Sequence, residues 1–109
     1  MDLERHLPLR PVEFQILVSL AQADAHGYGI LQDLEARGKG RAVPGITTLY
    51  RALLRLEKDG LIARDLSRPS DGDDERRKVY SLTFLGRAVT GAEAHRLGAL
   101  VDAMRGVTP

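Results

Sequence analysis

A chain of 109 residues with 43% hydrophobic and 28% charged residues has the balance of one globular domain. It is too apolar for a disordered segment and lacks the run of about 20 apolar residues that spans a membrane. The absence of Cys excludes disulfide frameworks, thiol nucleophiles and thiolate zinc sites. The net charge of +1 is unevenly spread: between Arg37 and Lys78 stand 11 Lys/Arg against 7 Asp/Glu, while the two ends hold 5 against 8. A basic middle between acidic ends directs attention to an anionic partner for the middle. The opening "MDLERHLPLRP" has neither the long apolar core nor the small-residue cleavage site of a secretory signal, which predicts a cytoplasmic protein.

In chain order, Pro11 predicts the start of a first helix, because its preset φ and missing N–H suit the first helical position. The helix is expected to run to about Ala23. Val12, Ile16, Leu17 and Leu20 form one apolar stripe, and Phe14 with Val18 a second. A helix apolar on two sides is expected to bury both, one against its own core and the other against a partner subunit. After a break at Ala25 to Gly27, Ile30, Leu31 and Leu34 predict a short second helix. A loop from Gly38 to Gly45, containing Pro44, leads to the third.

The third helix, about Ile46 to Asp59, is the most informative. Ile46, Leu49, Tyr50, Leu53 and Leu56 repeat at helical spacing, and the other side carries Thr47, Thr48, Arg51, Arg55 and Lys58. Gly60 supplies the permissive backbone that ends a helix, and Leu61 to Leu66 then alternate as a strand does. The polar stretch "RPSDGDDERRK", with the turn signal Asp71-Gly72, reads as the extended tip of a hairpin whose second strand is "VYSL". Thr83 stands where the N-cap of a last helix belongs. From Phe84 to Met104 that helix places Leu97, Leu100, Val101 and Met104 on one face, with Ala88, Ala92 and Ala99 permitting close approach. One small domain cannot cover so long a helix, so pairing with a second copy is expected.

The resulting fold class is mainly α with a small β hairpin: a winged helix-turn-helix plus a C-terminal dimerisation helix. Residues 1–82 are read as the DNA-binding part and 83–109 as the dimerisation helix, in one compact domain overall. The major groove of B-DNA admits one helix, and Arg51 suits a bidentate pair with guanine. Thr47 and Thr48 suit either base contact or capping of their own helix. Arg55 and Lys58 suit phosphate or solvent. Tyr50 reads as a half-buried ring whose hydroxyl could still reach a phosphate. His26 and Tyr28 open the second helix, where free amides favour an anion, and they suit local packing of the turn equally. Arg76, Arg77 and Lys78 either follow the DNA backbone or pair with Asp71, Asp73, Asp74 and Glu75. His6, His26 and His95 lack metal-ligand spacing, no Ser stands in a G-x-S-x-G setting, and no phosphate-binding loop occurs. The chain is therefore expected to be no enzyme and to use no cofactor or metal.

Three stretches, "ILVSLAQADAHGYGILQDLE", "TLYRALLRLEKDGLI" and "RRKVYSLTFLGR", resemble the PadR family of winged-helix transcriptional regulators over roughly positions 12 to 90. The resemblance rests on His-Gly-Tyr at 26 to 28, Leu-Tyr followed by Leu-x-x-Leu-Glu, and Tyr-x-Leu-Thr before Gly-Arg. It implies a homodimer that binds double-stranded DNA at a palindromic operator, usually as a repressor, and is released by a small molecule or a stress signal. With a single helix after the wing, the chain resembles the short subgroup of the family, which implies an effector of the kind often held between subunits there, a planar aromatic molecule. The chain has no Trp to stack on such a ligand, so a pocket for a small hydrophobic effector would be lined by Phe14, Val18, Leu97 and their neighbours. The competing reading is a protein-interaction module whose basic face binds an acidic partner.

Overall fold

The computed structural model describes residues 2–39, 43–65 and 78–107. Within them lie helices α1 (Pro11–Gln22), α2 (Gly27–Gly38), α3 (Ile46–Lys58) and α4 (Phe84–Arg105), and strands β1 (Ala25–His26), β2 (Ile62–Arg64) and β3 (Val79–Leu82). A 3-10 turn at Glu4–His6 precedes them. The strands form one antiparallel sheet in the order β1-β3-β2, with Ile62 opposite Leu82 and Ala25 opposite Tyr80. Among the described residues no helix is long and apolar enough to cross a membrane.

The core forms where the apolar stripes of the first three helices meet. Ile16, Leu17 and Leu20 of α1, Ile30 and Leu34 of α2, and Leu49, Leu53 and Leu56 of α3 are buried together, with Leu61, Ile62, Tyr80 and Val89 closing the cluster from the sheet and α4. Each such side chain contributes about 1.5–3 kcal/mol relative to exposure. Within α2, Arg37 Nε donates to Asp33 Oδ2 at 3.0 Å. That bond first, and then the Ser19 side chain of α1, holds the Asp33 carboxyl below its ordinary value.

Most of the elements read from sequence are present at nearly their predicted bounds. The second helix is longer than expected, because His26 caps it immediately after the break and lets it start at Gly27. The third strand, β1, occupies residues read only as a break. Two residues carry no alternating pattern, and their extended state comes from pairing with β3.

The joint between the hairpin and α4 is tight. Gly60 takes φ +78°, which turns the chain out of α3. The Thr83 hydroxyl accepts from the Gly86 N–H at 2.9 Å and donates to the Gly60 carbonyl at 2.6 Å, so one side chain caps α4 and secures the turn after α3. At Gly86 the backbone of α4 passes so close to β2's entry that a Cβ would stand 1.8 Å from the Leu61 carbonyl oxygen. Further along α4, buried Glu93 accepts from the Leu9 N–H at 2.7 Å and from Arg96 Nε at 2.5 Å. This fastens the N-terminal arm to α4. Hydrogen bonding from Arg96 holds the Glu93 carboxyl below its ordinary value despite burial, with the Leu9 amide acting in the same sense.

Candidate nucleic-acid interface

The third helix buries Leu49, Ala52, Leu53 and Leu56 and turns Thr47, Thr48, Arg51, Leu54 and Lys58 to solvent. Ile46, assigned to the apolar stripe by its spacing, is 50% exposed because it lies in the first turn at the edge of the core. The helix begins at Gly45, which serves as N-cap without a side-chain hydrogen bond. Thr47 and Thr48 therefore sit inside the first turn, and their hydroxyls are not used for capping. Among the described residues Arg51 and Lys58 form no ion pair. The result is a polar, cationic strip beside an uncapped helix start.

Arg55, expected to meet phosphate or solvent, is held by a carboxylate of another helix. Its Nε donates to Glu13 Oε1 at 3.0 Å, and Glu13, on α1, is buried. Arg10 stands 3.9 Å from the same oxygen. Arg55 joins α3 to α1 at the edge of the strip, and a partly buried carboxylate occupies its guanidinium. Tyr50 is half-buried as its spacing suggests, but its hydroxyl is not at the surface. Its ring lies against Gly27, where a Cβ would fall 2.7 Å from the hydroxyl oxygen, and that oxygen is buried. The start of α2 thus covers the hydroxyl that the sequence reading left at the surface.

The same contact brings the start of α2 beside α3. His26 Nδ1 accepts from the Gly29 N–H at 3.2 Å, which leaves the ring proton on Nε2 and able to donate outward. His26 thus caps α2 and is exposed. Tyr28, in the first turn of α2, is also exposed. Lys78 leads into β3 and is half-buried. Arg76 and Arg77 of the hairpin tip lie outside the described residues.

The residues expected to line an effector pocket separate into two places. Phe14 and Val18 of α1 line a cleft with Leu34 and Val43, rimmed by Arg37 and Lys39. Leu97, Leu100, Val101 and Met104 do not line it, because α4 packs on the body through Gly86, Val89, Thr90 and Glu93. The later turns of α4 project past the core, and Leu100, Val101 and Met104 are exposed. No group of three or more His, Asp or Glu among the described residues is placed to hold a metal ion.

Residues 16–92 match the model of the transcriptional regulator PadR-like family. The fold is similar to that of a transcriptional regulator from Clostridium thermocellum, with 26% identity, 90% of each chain covered and a TM-score of 0.72. A PadR-like regulator from Bacillus cereus is similar at 25% identity over 88% of this chain and 89% of that one, with a TM-score of 0.71. Bacillus subtilis PadR, solved in complex with operator DNA, shares the fold at 22% identity, a TM-score of 0.65 and coverage of 78% of this chain and 47% of its own. No curated protein matches by sequence.

Proposed function

The chain belongs to the PadR-like family of transcriptional regulators, and from that premise we propose that it is a homodimeric repressor. It binds a palindromic operator and leaves it when a small hydrophobic effector or another signal acts. It works by binding, without catalysis. The observation that carries the reading is the solvent-facing strip Thr47, Thr48, Arg51 and Lys58, on a helix backed by the core and flanked by the hairpin. Arg51 supplies the bidentate donor for guanine, the two threonines hydrogen-bond base edges or phosphate, and Lys58 neutralises backbone charge. His26 and Tyr28 meet phosphate beside the start of α3, and Lys78 with Arg76 and Arg77 follows the backbone from the wing. The operator-bound Bacillus subtilis PadR supports DNA as the partner.

In this reading residues 1–82 bind DNA and 83–109 supply the dimerisation helix. Leu97, Leu100, Val101 and Met104, together with Phe14 and Val18, are the apolar surfaces that a second copy and the effector cover. Two reading helices related by the dimer axis then address half-sites about 34–36 Å apart or a multiple of that spacing. Selection of bound sequences from a random duplex pool at two salt concentrations tests the reading. An enriched palindrome that persists at the higher salt is expected. Binding without enrichment that disappears with salt would reduce the strip to a nonspecific basic surface and favour an acidic protein partner.

A further inference from the structure

Leu54 interrupts the polar strip of α3. It is 63% exposed, the most exposed large apolar side chain outside α4 among the described residues. Thr47, Arg51, Leu54 and Lys58 stand at i, i+4, i+7 and i+11, which places them in one row along the helix. The i, i+4, i+7 part of that row is the spacing with which the third helix of a homeodomain presents side chains to base edges. Leu54 therefore shares its outlook with Arg51, and it faces away from the core formed by Leu49, Leu53 and Leu56.

Resting on the DNA-reading function proposed above, we propose that Leu54 is a specificity-determining residue that reads the 5-methyl group of a thymine in each operator half-site. Thymine carries the one methyl group among the four bases in the major groove, and apolar side chains recognise it by contact. The neighbours of Leu54 in the row are cationic or hydroxylic, which suits a polyanion with an apolar point inside its groove. Leu54 lies three residues past Arg51, about 4.5 Å along the helix axis, and successive base pairs are about 3.4 Å apart. The thymine accordingly belongs to a base pair adjacent to the one addressed by Arg51.

The test uses the selected operator with each thymine of the half-site replaced in turn by uracil, which removes the methyl group alone. Wild-type protein and Leu54→Ala are titrated against the whole series. At one thymine position the wild type is expected to bind about fourfold more weakly after replacement, the value of one buried methyl-sized group. Leu54→Ala is expected to bind the intact operator more weakly and to show no further loss at that position. Leu54 is exposed, so its variant keeps the wild-type melting curve, which verifies folding. Indifference of the wild type to every uracil, or equal sensitivity of both proteins at the same thymine, would overturn the assignment while leaving operator recognition intact. A pool that yields no operator would overturn both.

Discussion

At the scale of single residues, two positions on α4 hold the molecule to its geometry. Gly86 is required by a close approach: a Cβ there would lie 1.8 Å from the Leu61 carbonyl oxygen, a main-chain atom that cannot move aside without separating α4 from the sheet. Gly86→Ala is expected to cost about 3 kcal/mol or more, at or above the upper end for an inserted carbon in a packed site, as read by urea unfolding. Glu93 is buried and ties Arg96 to the Leu9 amide. Its carboxyl titrates below the unfolded value of 4.5 in the native state. Its contribution is therefore complete above that pH and is lost as the pH falls below it toward the native value. Glu93→Gln should be less stable at neutral pH, and its stability should fall less steeply than that of the wild type as the pH drops below 4.5. Urea unfolding over a pH series checks both statements.

At the scale of elements, α3 divides its cations between two tasks. Arg55 is paired with Glu13 and holds α3 against α1, whereas Lys58 is exposed and forms no ion pair among the described residues. The consequence is an asymmetry that DNA titrations at several salt concentrations can measure. Lys58→Ala should reduce the salt slope of operator binding by about 1. Arg55→Ala should leave that slope nearly unchanged but lower the unfolding free energy, because it strands a buried carboxylate. Equal slope losses from both variants would show that Arg55 leaves Glu13 when DNA binds.

For the whole molecule, the central feature is the length of α4 relative to the body it packs on. Its first half buries Gly86, Val89, Thr90 and Glu93, and residues 99–105 are exposed throughout. Leu100, Val101 and Met104, at 55%, 53% and 64% exposure, form an apolar row that a monomer leaves in water. Among the described residues a cleft bounded by Phe14, Val18, Leu34 and Val43 is a further apolar surface. If a second copy covers the row, Leu100→Asp should shift the protein from dimer to monomer in sedimentation at micromolar concentration and make its melting temperature independent of concentration. Operator affinity should fall with it, since two half-sites then lose their linkage.

The sequence by itself determined what rests on local pattern. Pro11, Gly60 and Thr83 marked ends of helices because each acts through its own backbone or hydroxyl. The 3.6-residue stripes identified Leu17, Leu53 and their neighbours as core, because burial needs only a continuous face. The cationic side of α3 was legible for the same reason, and a closer reading of the row from Thr47 to Lys58 would have singled out Leu54. Other features depended on residues distant in the chain and were decided by the tertiary structure alone. Glu13 captures Arg55 across 42 positions, Gly27 packs against the Tyr50 ring, and β1 exists because β3 supplies its hydrogen bonds. Periodicity assigns a side chain to a face, but the partner it meets there is set by how the helices pack. That packing pairs Arg55 with Glu13 and buries the Tyr50 hydroxyl, while leaving Arg51 and Leu54 facing outward.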